Sequence, residues 1–278
     1  MAALSEKQGL MATDDAQTMA VRVATNYSAS ATGYAEFWSP VIRPAGRRLL
    51  DTLPWDGASR VLDIGTGTGA LIPDILSLAP AARVIGMDPS WGMLARAKGT
   101  PVPLVAMDAM ALGLRAGSFD VAVLAFVLFH VPDPVAALVE VRRALRRRGS
   151  VGLTTWAEEP TTPANQIWDD ELTGRGAWDP APQTKQDALM DSPEKVRGLL
   201  RAAGFMPGRV WIERVEYQWD VRRFMGLRTH FGATRRQLET LDPAARRACR
   251  DRIEDRMSRL SSEDLLCRGA ALCATAAA

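Results

Sequence analysis

The chain has 278 residues, 47% of them hydrophobic and 24% charged. That balance excludes a disordered, collagenous or disulfide-scaffold protein and leaves room for one large α/β domain or two small ones. Thirty-four basic residues against 32 acidic ones give a net charge of +2, too little for charge alone to point to a nucleic-acid surface.

The three cysteines, Cys249, Cys267 and Cys273, lie close together near the end without CxxC spacing. They read as free, buried thiols of a reducing compartment. With only His130 and His230 as imidazoles, a histidine-rich metal site is excluded, and no metal is expected. The longest apolar run, residues 121–129, is far shorter than a membrane span. The first residues lack the basic-then-apolar order of a signal peptide. The expectation is a cytoplasmic protein that binds no membrane and no nucleic acid and works as a monomer or homodimer.

In chain order, residues 1–18 are small and polar and read as a poorly ordered tail. Residues 31–53 look helical, with Tyr34, Phe37, Trp38 and Val41 as an apolar stripe and Pro40 and Pro44 at a kink or helix start. A strand–helix alternation follows. Residues 60–64 are a strand, 65–69 a glycine turn, 70–78 a helix, 83–87 a strand, and Ser90 caps a helix that Gly99 ends. Strands at 103–106 and 120–124 come next, then a helix opened by Asp133 and Pro134 and ended by Gly149, and a strand at 151–155. Such units imply a parallel sheet covered by helices on both faces. Residues 157–190 are proline-rich and aperiodic and read as a lid or insertion. A capped helix at 192–203, a strand at 209–217, helices over 221–260 and a final edge strand at 267–275 complete the chain.

The chemistry concentrates at residues 61–69, VLDIGTGTG. Three alternate glycines follow a strand, where absent Cβ atoms let backbone approach a ligand and adopt positive φ. Asp63 stands two residues before the first glycine, Asp88 ends the next strand, and Asp108 follows the third strand. Three acids thus sit at the carboxyl ends of successive strands, the edge where open α/β sheets bind ligands, and an acid at Asp88 suits a ribose diol. Gly65, Gly67 and Ala70 also fit a looser dinucleotide pattern, but Asp63 inside the strand has no place in that fingerprint.

These motifs resemble the class I S-adenosylmethionine (SAM)-dependent methyltransferases, in particular the small-molecule branch of ubiquinone and menaquinone biosynthesis. The resemblance covers residues 34–156 and implies a Rossmann-like, doubly wound, mostly parallel seven-stranded sheet with helices on both faces. Residues 19–278 are then a single SAM-binding domain, with lid elements at 19–53, 157–190 and 219–262. It implies SAM as cofactor, leaving as S-adenosylhomocysteine. The loop Asp63, Gly65, Thr66, Gly67 and Gly69 would hold its methionine part, Asp88 the ribose, Met87 and Met93 the adenine face, and Asp108 with Ala109 the adenine amino group. Tyr34 and Phe126 join the cofactor set, and residues 126–133 would line the site. Where the family has a Pro-Gly-Gly turn before its fifth strand, this chain reads Arg147, Arg148, Gly149, Ser150. The family's last strand runs antiparallel.

His130 is either a general base for an acceptor hydroxyl or a hydrogen-bonded histidine closing the pocket. Phe37, Trp38, Phe129, Trp156, Trp168 and His230 are candidates for an apolar acceptor pocket; taken singly the aromatics read as core, and His230 as a surface or packing residue. The basic cluster Arg142, Arg143, Arg146, Arg147 and Arg148 reads as a solvated helix end. The expected activity is methyl transfer to an O, C or N atom of a small, apolar or aromatic acceptor. A SAM-fold cyclase or decarboxylase and a non-catalytic SAM-binding subunit are the alternatives.

Overall fold

The first half of the chain builds its sheet from short, almost wholly apolar strands, as strands covered on both faces require. In the computed structural model these are Arg60–Ile64 (β1), Arg83–Met87 (β2), Leu104–Val105 (β3) and Phe119–Ala125 (β4). The structure describes residues 2–181 and 186–278, with side chains from Thr18 onward. A long strand Leu145–Thr161 (β5), then Met206–Gln218 (β6) and Leu266–Ala277 (β7), complete one seven-stranded sheet of order β3-β2-β1-β4-β5-β7-β6. The pairs through β5 are parallel, and β7 runs antiparallel to both β5 and β6.

The expected strand–helix alternation is present, with shifted ends. Helices Ile72–Leu78 (α3), Trp91–Ala97 (α4), Pro134–Ala144 (α5) and Pro193–Ala202 (α7) flank the sheet. Ser90, Asp133 and Ser192 each cap a helix by accepting a backbone amide bond, as expected. Between α5 and α7, the aperiodic stretch 157–190 holds the helix Ala164–Gly174 (α6), whose buried residues Ala164, Ile167, Trp168, Glu171 and Leu172 follow helical spacing. Residues 182–185 of that expected lid lie outside the described residues. The later lid segment folds as Val221–His230 (α8), Gly232–Thr240 (α9) and Pro243–Met257 (α10).

Three expectations change. First, α5 ends at Ala144, not at Gly149, so Arg146, Arg147 and Arg148 belong to β5 and not to a helix end. The reason is pairing: Leu145 aligns with Phe119, and Arg148, at φ +66°, donates its amide to Ala278. Second, the last strand is interior. It fills the gap between β5 and β6, and β6 is the edge. Third, the backbone of Ala2–Gly33 forms one helix (α1) where a tail was expected; the side chains of residues 1–17 lie outside the description.

The chain passes from α1 through a wide π-helical turn, Tyr34–Trp38, into Ser39–Leu50 (α2). Pro40 explains the turn. It has no N–H and its ring crowds the carbonyl four residues back. That carbonyl, on Glu36, accepts a bond from Arg223 of α8 instead, 3.3 Å away. The anticipated proline kink is therefore a widened turn that ties the N-terminal helix to the later lid.

Below the sheet, Asp120 joins β1, β4 and β5. Its carboxylate accepts the backbone amides of Ser59 and Arg60 and the Ser59 hydroxyl, and pairs with Arg146 at 2.9 Å. Burial pushes this carboxyl up, but the amide and hydroxyl bonds and Arg146 outweigh it and hold it below its ordinary value. Such a group stabilises the fold above the unfolded carboxyl pKa of about 3.9, and the gain is lost as pH falls through the lower folded value. Asp120→Ala is expected to cost about 1–3 kcal/mol at pH 7. Urea titrations should show the gap from the parent protein closing as pH drops below about 4; a gap independent of pH would remove this role.

Candidate active site

Most residues expected to hold a cofactor gather where β1, β2, β3 and β4 end, with Tyr34 on the π-helical turn and Met93 on α4 joining them. Gly65 and Gly67 adopt φ +66° and +56°. A Cβ on Gly65 would stand 2.2 Å from a methyl of Val127, so the backbone reaches the floor of the cleft only because no side chain intervenes. Gly69 also has positive φ, but it packs on Thr100 and Ala97 beside α4 and lines none of the three cavities described next.

The cofactor cleft encloses about 800 Å³ of empty space, part of it open to solvent. Tyr34, Gly65, Gly67, Met87, Asp88, Met93, Asp108, Ala109, Phe126 and His130 all line it. A smaller cavity of about 410 Å³ adjoins it, with Asp63, Thr66, Gly65, Tyr34, Phe126 and Arg43 in its wall. A third, of about 980 Å³, is built from Tyr27, Trp38, Phe129, His130, Trp156, Phe231 and Arg236, among others. Tyr34 and Phe126 line all three.

The two buried acids are electrostatically unusual. Asp63 accepts the Thr66 hydroxyl at 2.6 Å. Asp88 accepts the amides of Gly67 and Ser90 at 3.0 and 2.8 Å. Desolvation dominates at both, pushing Asp63 up to about 7 and Asp88 up to about 6. The donors that these bonds supply are neutral, so Asp88 in the cleft and Asp63 in the adjoining cavity each still favour a cation or a polar hydrogen-bond donor. Asp88 has lone pairs left for two hydroxyls. Asp108 accepts the amide of Met110 and shapes the turn that presents Ala109.

Phe126 directs the middle of the site. It is not glycine, yet sits at φ +57°, a conformation that costs about 1–3 kcal/mol and persists only where its surroundings enforce it. The Phe126 amide bonds to both the carbonyl and the hydroxyl of Thr154 on β5, and its ring lies 4.5 Å from that of Trp156.

Three expected pocket residues pack elsewhere. Phe37 stacks with His230 at 6.1 Å, and His230 bonds to the Gly226 carbonyl. Trp168 is fully buried in the lid, 5.9 Å from the Arg228 guanidinium. None of the three lines these cavities. Conversely, Tyr27 went unread. Its hydroxyl lies 2.8 Å from Nε2 of His130, and it lines both larger cavities. Phe231, Arg236 and Asp179 also went unread; Asp179 grips Arg236 through two 2.7 Å bonds. A helix carried back to residue 20 would have set Tyr27 seven residues before Tyr34, on one helical face; the other three lie on a lid without a motif.

Comparison with known proteins gives the family. Residues 62–153 match the model of a methyltransferase domain family. The chain is 30% identical to a malonyl-[acyl-carrier protein] O-methyltransferase of Geobacter sulfurreducens, covering 67% of this chain and 71% of the relative. The chain belongs to the class I SAM-dependent methyltransferases. Within that family it is 28% identical to a demethylmenaquinone methyltransferase of Thermus thermophilus, over 57% of this chain and 80% of the relative. It is 32% identical to an aklanonic acid methyltransferase of a Streptomyces species, over 48% of this chain and 64% of the relative. A [4+2]-cyclase of known structure shares the fold at a TM-score of 0.51 and 22% identity, covering 84% of this chain and 79% of that one.

The cleft fits SAM on its own observations. The Gly65 and Gly67 cradle admits a ligand against bare backbone, and the desolvated Asp63 and Asp88 suit an ammonium group and a ribose diol. Met87, Met93 and Ala109 offer apolar faces beside Asp108 for an adenine. A cation beside two carboxyls with raised values favours their ionised forms. SAM affinity should therefore rise with pH between about 6 and 7, with proton release on binding seen by calorimetry in two buffers. Asp88→Asn is expected to weaken SAM by about 1.5–3 kcal/mol; unchanged affinity would overturn the ribose assignment.

Proposed function

We propose that this methyltransferase transfers its methyl group to an aromatic, hydroxylated acceptor held in the third cavity, with His130 as the base. The observation that carries this is the shared wall. The cofactor cleft and the aromatic cavity have Tyr27, Tyr34, Phe126 and His130 in common, so a group passing from one to the other passes these four side chains.

The acceptor cavity is aromatic on most sides. Trp38 stacks against Phe231 at 6.2 Å, and Trp156 lies 6.4 Å from Trp38. Flat rings bind a flat ligand over a large area without losing much side-chain freedom. The demethylmenaquinone and aklanonic acid named for two relatives support this class. Among the described residues no group of three or more His, Cys, Asp and Glu is placed to hold a metal ion.

When bound, SAM supplies an electrophilic methyl on a charged sulfur and departs as the neutral thioether. The protein's part is placement, exclusion of water and handling of the acceptor's proton. Residues Ala20, Val23, Ala24 and Tyr27 of α1 roof the cofactor cleft. Ser28 fastens that roof to α4, bonding to the Ser90 hydroxyl at 2.8 Å and to the Gly92 amide at 3.2 Å. His130 is half-buried between the two chambers, where an imidazole meets both a ligand hydroxyl and its neighbours.

Among the described residues no helix is long and apolar enough to cross a membrane. We read the protein as a cytoplasmic enzyme, monomeric or homodimeric and independent of nucleic acid.

The test is a mass-spectrometric screen of hydroxynaphthoquinones, hydroxyanthraquinones and simple phenols for products heavier by one CH₂, with S-adenosylhomocysteine formed in equal amount. His130→Ala is expected to lower kcat by about 100-fold or more on the acceptor found while SAM affinity stays within a few-fold. Full turnover by that variant would remove the base, and thioether-free conversion would point to non-methylating chemistry.

A further inference from the structure

We propose that Tyr27 is itself a catalytic residue, taking the acceptor's proton on its phenol oxygen while passing its own proton to Nε2 of His130. This rests on the methyl-transfer reading above and deepens it, because it assigns which atom meets the acceptor.

Three independent features place Tyr27 in this role. The first is contact: the hydroxyl sits 2.8 Å from Nε2 of His130, and the same side chain lines both the cofactor cleft and the aromatic cavity. The second is rigidity. The Tyr27 ring is held edge-on by Tyr34 at 5.8 Å and by His130 at 5.2 Å, with Phe231 at 5.9 Å on another side. Its backbone is part of the roof fastened one residue later by Ser28. The hydroxyl therefore cannot swing away from the imidazole without opening the roof.

The third is charge state. Burial is the largest influence on the phenol, Tyr34, Asp88 and Glu159 add to it, and Arg236 opposes it; together they hold Tyr27 well above its ordinary value. The phenol is neutral at working pH and always has a proton to give. With that proton directed at Nε2, its lone pairs are left for the cavity.

The step balances without oxidant or reductant. The acceptor's O–H bond breaks and its proton goes to the phenol oxygen. The phenol's own O–H bond breaks and that proton goes to Nε2. The acceptor's electron pair stays on its oxygen for the new bond to carbon. The positive charge ends on the imidazolium, and a later loss of that proton resets the pair. Tyr27 never carries a full negative charge if both protons move together, which matches its desolvated site.

The tautomer of His130 decides the direction of this bond and can be read without any acceptor. The chain has only two histidines, so ¹⁵N-histidine labelling gives two ring systems, and His130→Gln assigns them. With SAM bound, the expected result is neutral His130 protonated on Nδ1 and bare on Nε2, with that preference lost in Tyr27→Phe. A protonated Nε2 in the parent protein would make Tyr27 the acceptor of the bond and overturn the relay. This arm stands even if Tyr27→Phe fails to fold.

Kinetics on the hydroxylated acceptor supply the second arm. Tyr27→Phe is expected to lower kcat by about 10- to 100-fold, with KM for SAM changed much less. In mixtures of light and heavy water, the rate of the parent should bow with deuterium fraction, as two moving protons require. That of Tyr27→Phe should be straight. A bowed profile retained in Tyr27→Phe, or undiminished turnover, overturns the relay alone. Full turnover by His130→Gln removes the base reading as well, and methylation of no hydroxylated acceptor removes both.

Discussion

Two carboxyl groups taken out of water govern the rest of this structure. Asp63 and Asp88 end neighbouring strands, and Asp63 aligns in register with Gly86, two residues before Asp88. Raised pKa values at both show that the fold tolerates them at a cost in the free protein. The strain is local and purposeful: Gly67 and Ser90 give their backbone amides to Asp88, which fixes the glycine loop to the second strand. Loop shape and carboxylate orientation are thus one feature, and the ligand completes it.

Much of this was legible because it is dictated by backbone chemistry. Alternate glycines after an apolar strand leave few conformations, and all of Gly65, Gly67 and Gly69 take positive φ. Ser90, Asp133 and Ser192 announce helix starts because their side chains satisfy first-turn amides that the helix itself leaves unpaired. Boundaries failed where long-range pairing decides. Arg146 to Arg148 extend the helical charge pattern of α5, yet Leu145 pairs with Phe119 and the C-terminal Ala278 bonds to Gly149 from the far end of the chain. No local signal carries that.

The acceptor side was legible only in outline. Trp38, Phe129 and Trp156 do face one cavity, whereas Phe37, Trp168 and His230 pack the lid. An aromatic side chain has the same local signature in a core and in a pocket, since both reward apolar area. Tyr27 was invisible for a different reason. Its meaning comes from an imidazole 103 residues away, and the helix that presents it begins in a stretch that reads as polar.

The roof helix has a kinetic consequence. Residues Ala20 to Tyr27 close the cofactor cleft, and Tyr27 also bounds the acceptor cavity. One door therefore serves two rooms. Its latch is the Ser28 bonds to Ser90 and Gly92, the close seat of Gly92 under the Ser28 backbone, the Asn26 bond to the Ala181 carbonyl and the Tyr27 contact with His130. Exchange of spent cofactor and release of methylated product then belong to a single excursion of the chain. Opening of that door governs ligand exchange, and tightening the latch would slow exchange of both ligands together while improving the seal.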